Sequence, residues 1–168
     1  MTDAGPESKC ASETRVVLSQ VMQPADANFQ GIIHGGIIMK LIDEAAGVAA
    51  YRFCRRRVVT AHTDSIDFHH PVEIGNLVTL RASVNYAGRS SMEIGVRVES
   101  ENLTTGEVVH TNSAYLVFVA LDEGGRPAAI PTLLAETLEE KRRYREARER
   151  RERRAAARTA EQLAKDDA

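Results

Sequence analysis

The sequence predicts an α+β protein in which one antiparallel sheet packs against one long helix in two layers. Two patterns predict this class. Apolar residues recur at three and four positions over residues 37–53, which is the period of a helix, and several later segments alternate apolar with polar residues, which is the period of strands. In chain order the patterns predict a strand, the helix, and then four strands in a meander.

The composition is that of an ordinary globular chain. Its 168 residues, of which 43% are hydrophobic and 27% charged, suit one domain with its own core. A formal net charge of −2 provides no basic surface for nucleic acid, and no run of about 18 apolar residues suggests a membrane span. We therefore expect neither a nucleic-acid nor a membrane partner. Only two cysteines occur, Cys10 and Cys54, so a disulfide framework is not expected.

The start of the chain predicts a leader followed by a strand. Residues 1–12 are small and polar and include glycine and proline, which predicts a disordered leader. Because this start is acidic and has no apolar signal core, cytoplasmic residence is expected. Residues 14–22 form an apolar-rich run that predicts the first strand, and the turn-forming residues 23–31 predict a loop.

The helical pattern of residues 37–53 has one apolar stripe and is expected to bury it against the sheet. Three arginines follow at residues 55–57, which suits the partial negative charge of a helix C-terminus. The stripe is formed by Ile38, Leu41, Ile42, Ala45, Ala49 and Phe53.

Four later segments predict the remaining strands. Residues 58–68 are rich in β-branched side chains, and residues 78–86 and 92–98 alternate apolar with polar positions. The short link AGRS, residues 87–90, predicts a hairpin turn between the last two segments. Residues 108–121 predict a long final strand that ends at a glycine-rich turn.

The chain changes character at residue 132. Residues 132–168 are rich in Glu, Arg and Ala, with high helix propensity and many possible pairs at i,i+4, but with few apolar positions. Since the two signs of charge nearly balance, we expect a charged helical tail that is loosely packed rather than a nucleic-acid-binding segment. The predicted division is a leader at 1–12, a domain at 13–131 and a tail at 132–168.

Gly35 and Gly36 lie directly before the predicted helix. A helix N-terminus has unpaired N–H groups and a partial positive charge, and glycine lets a ligand approach the backbone. The Gly36 N–H is therefore a candidate donor to a carbonyl oxygen that gains negative charge during a reaction. A tight entry turn explains the glycine pair equally well.

Two polar residues near the glycines are candidate catalytic groups. Asp43 lies at the edge of the apolar stripe, where a carboxylate can activate water as a general base or attack a carbonyl directly. It can equally be a solvated residue paired with Lys40 or Arg52. Asn28 can orient a water or a carbonyl, or can close an Asx-turn in its loop.

The remaining polar clusters are weaker candidates. His69 and His70 are adjacent in an extended segment and point to opposite faces, so no metal site is expected. The predicted hairpin turn carries Arg89, Ser90 and Ser91, which can hold a phosphate or form a simple turn.

The spacing N-x-x-G-x-x-H-G-G before a helix with an internal aspartate resembles hotdog-fold acyl-CoA thioesterases. The likeness is greatest to the cytosolic acyl-CoA hydrolase group (YciA-type and brain-type), and it extends to the phenylacetate-pathway thioesterases. Residues 58–76 resemble the strand-and-turn segment of the first group, and residues 88–102 resemble its next hairpin. The resemblance covers roughly residues 14–131 and is carried by Asn28, Gly31, His34, Gly35, Gly36 and Asp43.

This resemblance implies a hotdog fold, in which a five-stranded antiparallel sheet wraps around one long central helix. It also implies that two hotdogs pair and that the active site lies at their interface. The Gly36 N–H would polarise the thioester carbonyl, and Asp43 would act as general base or nucleophile. Asn28 of the partner subunit would place the water or the substrate.

The resemblance further implies the binding groups and the assembly. The coenzyme A phosphates would be held by Arg89, Ser90, Ser91 and Arg57. His34 and Gly35 would also contact the substrate. No cofactor is implied, because coenzyme A is part of the acyl-CoA substrate, and a homodimer at least is expected, with further assembly to a tetramer or hexamer.

Two alternatives to acyl-CoA hydrolysis are open for the same fold. One is a hotdog hydratase or dehydratase acting on acyl-CoA or acyl-carrier substrates, which depends on a catalytic histidine at a spacing that this chain lacks. The other is a non-catalytic acyl-CoA-binding module that uses the tail to bind a partner. The sequence does not specify the acyl chain, since the residues of two subunits would shape its tunnel.

Overall fold

The computed structural model describes residues 7–166 of the chain. Single 3₁₀ turns occur at Ala11–Thr14 and Pro24–Asp26. The strands and helices are β1 (Ser8–Cys10), β2 (Val16–Val21), α1 (Gly35–Cys54), β3 (Arg57–Phe68), β4 (Leu77–Ala87), β5 (Ser91–Glu101), β6 (Val108–Leu121), β7 (Thr132–Leu134) and α2 (Leu138–Asp166).

The main sheet has five antiparallel strands in the order β2-β4-β5-β6-β3. The five predicted strands all form, and β4, β5 and β6 follow one another through hairpins. The predicted meander of four strands is wrong for β3, which pairs with β6 at the far edge of the sheet. The reason is the connection of residues 69–76, which is too long for a tight hairpin and carries the chain across to β4.

Helix α1 lies across one face of this sheet, and it begins two residues earlier than predicted. All the predicted stripe residues are buried, and fully buried Ala46 and Ala50 widen the stripe. These small side chains let the helix backbone approach the strands, while Ile42 and Phe53 fill the space around them. Burying each of the two large side chains stabilises the fold by about 1.5–3 kcal/mol. Arg55 ends the helix in a left-handed conformation with φ 50°.

The two faces of the sheet carry different chemistry because alternate strand residues point to opposite sides. Met92, Ile94, Val96 and Val98 of β5 belong to the core that α1 covers. Glu93, between the first two, is buried on the opposite face.

Short strands at the two ends of the domain pair in a separate parallel sheet, in which Lys9 of β1 is opposite Leu133 of β7. The predicted disorder of residues 1–12 is therefore wrong for residues 8–12, while residues 1–6 lie outside the described part of the chain. Strands of three residues are too short to show a periodicity, so no pattern predicts them. The buried hydroxyl of Thr14 fixes this segment by donating to the Ala11 carbonyl at 2.7 Å and accepting from the Val84 N–H at 3.0 Å.

Helix α2 packs against the opposite face of the sheet from α1. The expectation of a loosely packed tail is wrong for its first half, where Ala147 is fully buried and Arg150 forms a 2.7 Å ion pair with Glu93. Arg154 extends this contact to Asp64 of β3 at 3.2 Å. Residues 155–164 are exposed, as predicted for a charged tail. No helix within residues 7–166 combines the length and the hydropathy that a membrane crossing requires.

Candidate active site

The N-terminus of α1 is capped by a histidine. His34 has extended backbone angles, and its Nδ1 accepts a 3.0 Å hydrogen bond from the Gly36 N–H. Gly36 is thus the second residue of the helix rather than a residue before it, and its N–H is satisfied within the chain. Its role as an oxyanion donor stays a prediction and requires the exposed imidazole to rotate away first.

A side chain added at Gly36 would be more crowded than one added at Gly35. A Cβ at Gly36 would lie 3.2 Å from Nδ1 of His34, which is closer than ordinary van der Waals contact. A Cβ at Gly35 would lie 3.5 Å from the ring of Phe68, which is an ordinary contact distance. A side chain at Gly36 would therefore displace the capping imidazole by a few tenths of an ångström, which agrees with the explanation by a tight entry turn.

A pocket of about 310 Å³ opens beside the start of α1. Asn28 lines this pocket together with Gly35, and its side chain also closes a turn, because its Oδ1 accepts from the Gln30 N–H at 2.9 Å. Both interpretations of Asn28 are therefore compatible, because its Oδ1 accepts a hydrogen bond within the turn while the residue also lines the pocket. The other lining residues are Ile32, Ile33, Ile38, Phe68, His69, His70, Pro71, Val72 and Asn112.

Asp43 is exposed on α1 and is not held by the cations that flank it in sequence. Lys40 pairs with Glu44 at 3.7 Å, and Arg52 donates to the backbone carbonyl of Arg15 at 2.6 Å. Neither of the cationic partners considered for Asp43 from the sequence therefore neutralises it.

The group that contacts Asp43 is Thr60 of β3, whose Oγ1 donates a 2.7 Å hydrogen bond to Asp43 Oδ1. Sequence reasoning missed Thr60, because a threonine in a β-branched strand is explained by strand propensity alone. Only the packing of α1 over the edge of the sheet brings this hydroxyl to the carboxylate.

The predicted phosphate-binding residues lie at one end of the sheet. Across the strands, Ser91 of β5 is opposite Val119 of β6, and Val119 is opposite Val59 of β3. The exposed Arg89 and the start of β3 at Arg57 are therefore at the same end, separated by two strand spacings, or about 10 Å. This is also the end at which Thr60 meets Asp43, whereas Asn28 lies beside the start of α1.

Within residues 7–166, no three His, Cys, Asp or Glu side chains are grouped as a metal site requires. His69 and His110 approach each other, with ring centroids 5.3 Å apart, but His110 Nε2 is engaged by the Asn112 carbonyl at 2.8 Å.

The fold and the site define the class. A five-stranded sheet around one long helix, with a histidine-glycine start and an exposed acid on that helix, is the hotdog arrangement that the resemblance implied. Residues 30–107 match the family Thioesterase superfamily. A relative from Bacillus subtilis (strain 168), an uncharacterized acyl-CoA thioester hydrolase, is 41% identical over 135 residues, which are 80% of this chain and 78% of the relative. The chain belongs to the thioesterase superfamily.

Solved structures give the same fold over nearly the whole chain. An apo-hexameric acyl-CoA thioesterase is 38% identical with a TM-score of 0.87, covering 90% of this chain and 97% of its own. An acyl-CoA hydrolase from Staphylococcus aureus, in complex with butyryl coenzyme A, coenzyme A and coenzyme A disulfide, is 36% identical with a TM-score of 0.86, covering 94% and 96%. Variants of that hydrolase with its own Asn28, Asp43 or Thr60 replaced by alanine have also been solved.

Proposed function

We propose that this enzyme hydrolyses acyl-CoA thioesters to a free carboxylic acid and coenzyme A. The observation that carries the proposal is the environment of Asp43. This exposed carboxylate on the central helix of a thioesterase fold has no cationic partner among residues 7–166 and is oriented by Thr60 at 2.7 Å. Such a carboxylate is available to take a proton from water or to attack the carbonyl carbon.

The start of α1 supplies the electrophilic part of the mechanism. When the His34 ring turns outward, the Gly36 N–H and the partial positive charge of the helix face the thioester oxygen. Gly35 and His34 then border the bound thioester. His34 therefore acts as a cap that satisfies the donor while no substrate is present.

The spacing of the two groups favours a site shared between subunits. Gly36 and Asp43 are seven residues apart on α1, which is about 10 Å along the helix axis. A carbonyl carbon bound at Gly36 lies beyond direct attack by the Asp43 of the same chain. We therefore assign Gly36 and Asn28 of one subunit to the same site as Asp43 of the other. Asn28 and Asp43 still come from different subunits, as the resemblance implies, but Gly36 is supplied with Asn28 rather than with Asp43.

An exposed apolar surface supports this pairing. Large apolar side chains on α1 and the edge strand β3 are left exposed in the single chain, which is the usual mark of an interface. The hexameric assembly of the similar thioesterase is consistent with pairing followed by further association into a hexamer of hotdogs. The residues of this surface are Met39, Val48, Tyr51, Val59 and Phe68.

The predicted coenzyme A-binding residues lie at the end of the sheet where β3 and β5 begin, away from the start of α1. The phosphates of coenzyme A are bound by the exposed Arg89, the hydroxyls of Ser90 and Ser91, and Arg57 of β3. Charged guanidinium donors are well suited to phosphate oxygens. The S. aureus hydrolase in complex with coenzyme A supports this ligand class, and the residue types and numbers of its three alanine variants coincide with Asn28, Asp43 and Thr60 of this chain. The cytoplasmic location stays a prediction.

The test is the release of thiol from acyl-CoA, followed with a thiol reagent over short, medium, long and aromatic acyl chains. We expect Asp43→Asn to lower kcat/KM by about 100-fold or more, a loss typical of removing a general base. Glu44→Gln, an exposed acid on the next residue, is the matched control and should retain activity. Full activity in Asp43→Asn would contradict the proposed role of Asp43.

The same assay separates the two alternatives. A hydratase would consume an enoyl-CoA without releasing thiol, and a binding module would retain acyl-CoA without turnover. Rapid thiol release by the wild-type protein would exclude the binding module.

A further inference from the structure

One buried polar atom beside the site has no hydrogen-bond partner in the described part of the chain. Asn112 of β6 is fully buried (0% exposed), and its Nδ2 donates to the Asp67 carbonyl at 3.2 Å. Its Oδ1 has no partner among residues 7–166. An unsatisfied buried acceptor costs about 1–3 kcal/mol, and most buried polar groups in proteins are paired.

The orientation of this amide is determined by its surroundings. Exchanging its oxygen and nitrogen would direct Oδ1 at the Asp67 carbonyl and leave two acceptors facing each other. The atom without a partner is therefore an acceptor, and its complement is an O–H or N–H donor.

The position of Asn112 connects this acceptor with the candidate active site. Asn112 lines the 310 Å³ pocket at the start of α1, together with Asn28 and Gly35. It pairs across the strands with Phe68, whose ring lies over Gly35. The other polar side chains of the pocket are Asn28, whose Oδ1 already accepts from the Gln30 N–H, and His69 and His70.

We infer that Asn112 binds a hydrogen-bond donor that occupies this pocket during hydrolysis. The inference rests on the proposed function. A thioester group and a saturated acyl chain have no O–H or N–H, so the donors nearest the reacting carbonyl are the hydrolytic water and an amide N–H of the pantetheine arm. Either one satisfies Oδ1 and is fixed by it relative to the thioester.

The test is Asn112→Leu, which keeps the side-chain volume and removes both polar atoms. We expect kcat/KM for acyl-CoA to fall about tenfold, the equivalent of one lost hydrogen bond in the 1–3 kcal/mol range, while the denaturation midpoint stays the same or rises. The matched control is Thr111→Val, at the neighbouring buried residue whose hydroxyl donates to the Val98 carbonyl at 3.3 Å away from the pocket lining. This control should lower the denaturation midpoint and leave kcat/KM within twofold of wild type.

Two substrates distinguish the sources of the donor. If the donor is water, Asn112→Leu lowers kcat, leaves KM unchanged, and shows the same loss with a simple S-alkyl thioester. If the donor is the pantetheine amide, KM and the Kd for coenzyme A rise, and the S-alkyl thioester shows no loss. A kcat/KM within twofold of wild type on both substrates would overturn the inference.

A second variant and a structure keep the inference testable if Asn112→Leu does not fold. Asn112→Ser retains an acceptor and should keep more activity than Asn112→Ala. A crystal structure of the wild-type protein with coenzyme A should contain a water or an amide nitrogen within hydrogen-bond distance of Oδ1, and its absence there would overturn the inference. Failure of wild-type hydrolysis is a separate result, which counts against the proposed function.

Discussion

The two helices cover opposite faces of one sheet by opposite means. Helix α1 buries four alanines, Ala45, Ala46, Ala49 and Ala50, against the strands, with larger apolar side chains around them. Helix α2 has few apolar residues, of which Ala147 is fully buried and Tyr144 packs against Tyr86 at 5.1 Å, and its ion pairs to the sheet come from guanidinium groups. The comparison shows that the face bearing the candidate active site is built from packing, whereas the outer face is built from charge pairs.

The attachment of α2 centres on Glu93, a carboxylate that is only 1% exposed. Arg150 binds it at 2.7 Å and lies over the ring of Tyr115 at 3.8 Å, and Arg154 reaches it at 3.2 Å. Burial acts to lower the pKa of Arg150, but the hydrogen bonds and charge of Glu93 outweigh it and raise that pKa. Arg150 therefore keeps its charge, and its ion pair with Glu93 fixes where α2 lies on the sheet.

The largest stability effect should follow from breaking this pair. Glu93→Ala leaves Arg150 without its carboxylate and Arg154 with Asp64 alone, and losing one partner of a buried ion pair costs about 3–5 kcal/mol. Urea denaturation should measure this loss, and the reduced helical signal of a detached α2 should accompany it. A loss below about 1 kcal/mol, the range of exposed pairs, would mean that α2 is attached by other contacts.

A smaller effect is expected from overfilling the α1 face. Ala49→Leu adds three carbons at a fully buried position of the helix, and overpacking of this kind costs about 1–3 kcal/mol. The same denaturation experiment measures it. Lys40→Ala, at an exposed position of the same helix, is the control and should change stability by less than about 0.5 kcal/mol.

The contribution of the start of α2 to the stability of the fold should decrease at low pH. Burial acts to raise the pKa of Glu140, but the N–H groups of Thr137 and Glu136 and the side chain of Arg15 outweigh it, so that its pKa is lowered. Because the pKa is lower in the folded state, this contribution is complete above the unfolded value of about 4.3 and is lost as pH falls through the folded value.

Denaturation midpoints measured from pH 6 to pH 3 test this. Glu140→Gln should be less stable than wild type near pH 6, and the difference should shrink as the pH falls below about 4. A difference that stays constant over this range would contradict a role for the ionised carboxylate.

The contrast between the helices also explains what the sequence could predict. The period of the apolar residues predicts which face of α1 is buried, since every residue of the predicted stripe is buried. The patterns of the five main strands likewise predict that those strands form. The position of β3 beside β6, the Thr60–Asp43 contact and the docking of α2 on Glu93 depend on which elements meet in space. A glutamate in an alternating strand looks like a solvated residue, and nothing in its spacing indicates that an arginine 57 positions away will cover it.

The smallest effect on stability should come from the exposed side of α2, where an exposed ion pair can be compared with the buried one on the same helix. Arg142 and Glu146 form an i,i+4 pair at 3.0 Å, with the arginine side chain 54% exposed. Such pairs contribute about 0.3–0.5 kcal/mol because water and salt screen them. Arg142→Ala should therefore lower the free energy of unfolding by no more than this in low salt and by nothing measurable in 1 M salt. Arg150→Ala, eight residues further along the same helix, should lower it at both salt concentrations. Equal losses for the two variants would show that α2 is held by its whole charged surface rather than by the buried carboxylate of Glu93.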